Sequence, residues 1–158
     1  MINCTFENGG KASLRHVVVD TIVLRENKIL LAKRTKKILE GGKWGLIAGF
    51  MDRDEDLFQA VEREIFEETG WRVRDITLFR VKHWPERPNE DRQNVAFVFS
   101  CNAVKKEGKA DWESDKIAWF SLDSLPAKNE LAFDHSDDIA IYKKNLKQKL
   151  QLPILQKI

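Results

Sequence analysis

Residues 49–71, GFMDRDEDLFQAVEREIFEETGW, constrain this chain more tightly than any other stretch. Leu57, Phe58, Val61, Ile65 and Phe66 recur at three- and four-residue spacing, which predicts a helix over about residues 54–69. Asp52, Asp54 and Asp56 crowd its start, where acids suit the positive end of the helix dipole. Gly70 follows where a left-handed cap usually stops a helix. At roughly 100° per residue, Leu57, Val61 and Ile65 define the apolar face. Glu64 and Glu68 fall beside Leu57 and Val61 on that face, and Glu67 lies on the flank next to Glu64. Acids present only for solubility would lie opposite the core.

Like charges one helical turn apart repel, and partial burial raises their pKa values unless a positive group joins them. A divalent cation resolves that conflict, and oxygen-only ligands suit Mg2+ or Mn2+. Arg63, beside the cluster, can hold a carboxylate through a bidentate contact. The residues taken alone leave a second reading open, a solvated acidic helix surface. The spacing bears on that choice. Gly49, Glu55, the pair Arg63-Glu64, the pair Glu67-Glu68 and Gly70 occupy every fixed position of the Nudix box. The segment resembles that box, and the chain resembles the Nudix hydrolases.

The resemblance implies a loop-helix-loop that holds a divalent metal on the phosphates of a nucleoside diphosphate linked to another group. Water attacks phosphorus there, and the pyrophosphate bond breaks. It further implies Glu64, Glu67 and Glu68 as metal ligands, the Gly49 carbonyl touching the metal, and Glu64 polarising the water. Arg63 would orient a glutamate, Glu55 would support the loop, and Gly70 would close the helix. Such a metal neutralises phosphate charge and lowers the pKa of bound water, which leaves mainly positioning to the protein. The likeness extends over most of residues 14–125, through a strand pair at 16–25 and 28–34, the run Gly42-Lys43-Trp44-Gly45-Leu46, and a late strand and turn at 116–125. It departs at Ile47-Ala48-Gly49, where many members carry Pro-Gly-Gly, so a different local turn is open, and at Trp71, where an aliphatic residue is commoner.

Outside the box each candidate carries two readings. Glu113, a better match than Asp115, is an additional metal ligand or base in the family's manner, or else a solvated loop acid. Arg92 and Glu90 reach the substrate's phosphates or far terminal group, or form a surface salt bridge. Trp44, His83 and Trp84 stack on a base, or pack in the core with His83 satisfied at a strand end. Phe133-Asp134-His135 line the cleft for a base or ribose, or are a packed lead-in to the last helix. The basic stretch 33–37, including Arg34, meets phosphates or is solvated.

A chain of 158 residues suits one domain. Residues 1–13 read as a loose arm or short edge strand. Residues 17–24 are nearly continuous in Val, Ile and Leu, which implies burial on both faces. Glu26-Asn27 form a hairpin turn before 29–34, and further strands are expected at 44–50, 74–84, 94–103 and 116–120, with a loop at 85–93. Ser136 caps a last helix over about 137–150. The result is an α/β architecture, a mixed sheet between helices, which the resemblance makes a Nudix-type α/β/α sandwich.

A net charge of +2 is too small to argue for nucleic-acid or membrane attraction. Cys4 and Cys101 have no metal-type spacing and are too few for a disulfide scaffold. No stretch reads as a signal peptide or bilayer span, so a cytoplasmic protein is expected, and a homodimer by family analogy alone. The leading function is a metal-dependent pyrophosphohydrolase of a nucleoside diphosphate derivative, with ADP-ribose or a similar compound favoured. Alternatives are a house-cleaning nucleoside triphosphate pyrophosphohydrolase, for example of oxidised nucleotides, and a nucleotide-sensing module without turnover. The box handles the shared diphosphate and cannot separate these.

Overall fold

Side chains alternate between the faces of a strand, so a strand that is apolar throughout needs cover on both sides. In a computed structural model, which describes residues 1–86 and 92–156, strand β3 (Val17–Arg25) meets that condition. It is buried at every position from 18 to 23. Val19 and Val23 pack into one apolar cluster and Ile22 into another on the opposite face. In β4 (Lys28–Arg34), Leu30 and Ala32 join the first cluster, and Ile29 and Leu31 join the second.

β3 and β4 flank the expected turn, where Glu26 takes a left-handed φ of 56°. They pair only at Leu24↔Ile29 and Arg25↔Lys28. Beyond that point the two strands serve different neighbours. β3 runs parallel to β8 (Val95–Lys106) and antiparallel to β6 (Ile47–Phe50). β4 pairs antiparallel with β5 (Trp44–Gly45) and β9 (Ser114–Ser121). The main path of this mixed sheet is β5-β4-β3-β8-β7, where β7 is Trp71–Lys82.

Helix α1 (Leu57–Thr69) packs on β3, β6 and β7, and its Ala60, Val61 and Ile65 complete the first cluster. Helix α2 (His135–Gln148) covers the other face with Ile139, Ile141 and Tyr142. The architecture is the expected α/β/α sandwich.

Several boundaries differ from the sequence expectation. α1 begins three residues later than expected because Asp54 holds a φ of 69°, which a right-handed helix cannot include. Asp56 caps it, accepting from the N–H groups of Phe58 (2.8 Å) and Gln59 (2.9 Å), while the Gln59 Oε1 accepts the Asp56 N–H (2.8 Å). Phe58, counted in the apolar series, is 52% exposed and meets the Phe99 ring of the sheet edge-on. α2 starts at His135 with Asp134 in the cap position, so Ser136 lies inside the helix and does not cap it. The Asp134 carboxylate is drawn to buried Lys82 at 3.0 Å. β7 starts directly after Gly70. The expected strand at 44–50 is broken at Leu46 into β5 and β6. The N-terminal arm is a hairpin, β1 (Ile2–Thr5) with β2 (Lys11–Leu14), forming its own two-stranded sheet.

Candidate active site

The break at Leu46 makes the chain change partners. β5 is bonded to β4, whereas β6 crosses to β3 and lies against α1. The Leu46 N–H at the break donates to His135 Nδ1 at 3.0 Å, which leaves the proton of a neutral imidazole on Nε2. Gly49 is thereby laid directly on Glu64. A methyl group at Gly49 would stand 2.0 Å from both Cδ and Oε1 of Glu64, so the carboxylate occupies the space a side chain would need.

Arg63 ties the acidic helix to the loop before it. Its Nε and Nη2 grip Glu55 at 3.0 and 2.7 Å, the two-pronged contact expected of an arginine and a carboxylate. Nη2 also donates to the Phe50 carbonyl at 2.9 Å, and Nη1 donates to Glu64 (2.8 Å) and Glu67 (3.1 Å). Glu55 in turn accepts the Asp52 N–H at 2.6 Å. The Arg63 contact holds Glu55 below the ordinary carboxylate pKa and the guanidinium above its own ordinary value.

Glu64 and Glu68 both shift upward, opposite to Glu55. Burial pushes Glu64 above its ordinary value despite the Arg63 contacts, with the charges of Glu67 and Glu113 adding. Burial also drives Glu68 well above its ordinary value, opposed by the bond from the Ala48 N–H (3.1 Å) and reinforced by Glu64, Asp111 and Glu113. Glu68 is 7% exposed, and its charge is favoured by that one N–H and by the positive charge of Arg34.

The loop before β9 delivers Glu113. The Asp111 N–H bonds the Glu67 carbonyl at 3.1 Å, the Asp111 carboxylate caps the Glu113 N–H at 2.9 Å, and the Glu113 carbonyl takes the Thr35 N–H at 3.0 Å. The loop is thus fastened to the end of α1 on one side and to β4 on the other.

These groups face a cavity of about 350 Å3. Glu64, Gly49, Glu113, Arg34, Arg92 and His135 line it, with Ile38, Leu39, Phe50 and Phe133 as its apolar wall. Arg34 donates to the Leu39 carbonyl at 2.8 Å and lies over the Phe133 ring at 5.2 Å. Burial lowers its pKa, and the neighbouring positive charge of Arg92 works in the same direction. Arg92 lies over Phe50 at 5.5 Å.

Other candidates are placed elsewhere. Glu55, Arg63, Glu67 and Glu68 are not among the residues that line the cavity, and the Glu67 side chain is half exposed. Trp44 packs edge-on against Phe120 at 4.8 Å and belongs to the core, because β5 turns it toward the α2 side. Asp134 is buried on Lys82. His83 and Trp84 contact each other, with Arg80 over the Trp84 ring at 5.1 Å. Glu90 lies outside the described residues. Trp71 packs edge-on against Trp119 at 5.5 Å, filling the place of the commoner aliphatic residue.

Sequence reasoning missed Asp20, Asn94 and Asp111. Asp20 lines the cavity and bonds Lys82 at 3.1 Å, and Lys82 also holds Asp134 and Asp138 (2.6 Å), the latter shared with Arg80 (2.8 Å). The available signal was a lone charge inside the run VVVDTIVL.

The donor set suits a hard divalent cation: carboxylates of Glu64, Glu67, Glu68 and Glu113, and the backbone at Gly49. Burial of Glu68 among like charges is relieved by such an ion. Among the described residues no three acidic, histidine or cysteine groups already converge on one point. Arg63 draws Glu64 and Glu67 to itself while Ala48 holds Glu68, so sharing an ion requires Arg63 to cede part of its hold. No helix among the described residues is long and apolar enough to cross a membrane.

The NUDIX domain profile matches residues 14–140. An ADP-ribose pyrophosphatase of Methanocaldococcus jannaschii is 36% identical over 126 residues, covering 80% of this chain and 72% of that protein. A mitochondrial NAD(P)H pyrophosphatase of Mus musculus is 32% identical over 129 residues, covering 76% of this chain but only 34% of that longer protein. Among solved structures, a NUDIX hydrolase from Nitrosomonas europaea superimposes with a TM-score of 0.78 at 27% identity, over 98% of this chain and 91% of that one. The spacing of the box, the sandwich built around it and these matches agree: the chain belongs to the NUDIX domain family.

Proposed function

We propose that this chain is a single-domain, divalent-metal-dependent hydrolase that cleaves the pyrophosphate bond of a nucleoside diphosphate derivative, with ADP-ribose or a close analogue as substrate. The observation that carries the reading is the meeting of opposite charges on one cavity. Glu64 and Glu113 face it, buried Glu68 interacts with both of their charges, and Arg34 and Arg92 face it as two cations. A diphosphate would fit between them, contacted by the arginines on one side, and Glu64, Glu67 and Glu68 are the residues that would hold Mg2+ or Mn2+ on the other. Bound metal supplies charge neutralisation and a more acidic water. The chain's own residues do the rest. Arg63 and Glu55 hold the glutamates in place, Arg34 and Arg92 orient the phosphates, and Glu64 or Glu113 accepts the proton of the attacking water.

With ADP-ribose, water oxygen bonds one phosphorus and the bridging P–O bond breaks, giving AMP and ribose 5-phosphate. The preference for this substrate is supported by the Methanocaldococcus jannaschii relative, which is named for it. A cavity of about 350 Å3 with an aromatic and aliphatic wall lies in the range of small-ligand sites. A cytoplasmic setting accompanies the reading, and light scattering decides the expected homodimer.

A screen of ADP-ribose, dinucleotides, nucleotide sugars and triphosphates with Mg2+ tests the reading. Release of AMP from ADP-ribose, abolished by Glu68→Gln, is the expected result. Preferred turnover of a triphosphate would move the substrate class, and tight nucleotide binding without turnover of any compound would reject the enzyme.

A further inference from the structure

Arg15 lies in the short link between β2 and β3, far in sequence from the acidic helix. Its guanidinium donates to four main-chain carbonyls: His83 (2.7 Å), Trp84 (3.3 Å), Asn94 (3.2 Å) and Gln93. His83 and Trp84 follow the end of β7, and Gln93 and Asn94 lead into β8. One rigid fork of donors therefore spans both feet of the β7–β8 connection.

A second observation concerns Gln93, whose φ of 55° is left-handed, a conformation that L residues with side chains rarely adopt and that the surroundings must hold. Arg15 holds the Gln93 carbonyl, and the His16 carbonyl accepts the Val95 N–H at 2.8 Å two residues on. This turn sits between Arg92 and Asn94, and both of those residues line the cavity. We propose that Arg15 is a positioning residue: by clamping the Gln93 turn it sets the Arg92 guanidinium on the substrate's diphosphate. The inference rests on the reading of the cavity as a diphosphate site and adds the device that aims its second arginine.

The test is a double-mutant cycle in the full chain, with ADP-ribose and Mg2+ as probe. Arg92→Ala raises KM about ten- to a hundredfold, the usual loss of a charged hydrogen bond. Arg15→Ala raises KM about tenfold while leaving kcat nearly unchanged, because the metal-side glutamates do not depend on it. In the Arg92→Ala background, Arg15→Ala adds little more, since both changes remove one contact. Should Arg15→Ala prove unstable, Arg15→Lys keeps the charge but cannot span four carbonyls, and the same KM rise is expected.

Independent, multiplying losses, or a fall in kcat at constant KM, overturn the inference and leave Arg15 a structural staple. A KM unchanged by Arg92→Ala rejects Arg92 as the phosphate contact and the inference with it. If the unaltered chain does not hydrolyse ADP-ribose, the substrate reading fails by itself, and the cycle is run on the best compound from the screen.

Discussion

Replacing Gly49 with alanine separates catalysis from folding in a way the geometry dictates. The new methyl would lie 2.0 Å from Cδ and Oε1 and 2.3 Å from Oε2 of Glu64, where ordinary contact begins near 3.4 Å. The obstacle is purely spatial, because Gly49 does not adopt a left-handed φ. What must yield is the far end of a flexible side chain, so the backbone can stay and the Glu64 carboxylate leaves by more than 1 Å. That breaks its 2.8 Å bond to Arg63 and removes Glu64 from the position proposed for a metal ligand. A misplacement of that size costs about a hundredfold in kcat/KM, equivalent to about 2.7 kcal/mol of transition-state stabilisation. The fold loses little, since Glu64 is held against a burial penalty, and the melting temperature should move by no more than about 2–4 °C. Purified Gly49→Ala is assayed for AMP release across a Mg2+ titration and melted in parallel. Activity within about threefold of the parent at equal Mg2+ would refute the argument that Glu64 needs the space of the missing side chain.

Gly70→Ala should show the reverse pattern. Its φ of 73° and a Cβ 2.2 Å from the Gly108 carbonyl oxygen oppose backbone to backbone, so about 2–4 kcal/mol of stability is lost in urea unfolding. Glu68 carries a pH signature. Burial raises its folded-state pKa, so the folded chain keeps a proton that the unfolded chain releases near 4.5. Stability of the metal-free protein therefore falls as pH rises from about 4.5 through the folded pKa. Glu68→Gln flattens that slope in thermal melts, and a steeper slope in the variant contradicts the assignment. Lys82→Met leaves Asp20, Asp134 and Asp138 without their shared cation and should cost about 3–5 kcal/mol by chemical denaturation.

The acidic helix was legible because its information is local. One helical turn relates Glu64 to Glu68, so their place beside Leu57 and Val61 follows from spacing, and the structure buries Glu68 accordingly. Glu113 was a candidate only through resemblance, since its place beside the cavity depends on Asp111 being bonded to the end of α1. Trp44 was ambiguous for a related reason: an aromatic next to a glycine reads the same whether it faces a cavity or a core, and the pairing of β5 with β4 decides. The start of α2 was misplaced because Ser136 and Asp134 cap equally well by propensity, and the contact of Asp134 with Lys82, distant in sequence, accompanies the start at His135.

From the order of residues alone came the helix, its closing glycine, the continuous apolar run that buries β3 on both faces, and the acids proposed for metal. These follow from periodicities of 3.6 and 2 and from dihedral limits acting within a few residues. The folded molecule decided what lies between elements: the change of partner at Leu46, the fit of Glu64 over Gly49, the charge network around Lys82, and the clamp of Arg15 on a turn some eighty residues away. Strand pairing and side-chain packing join residues that share no local spacing, so no window of the sequence could display them.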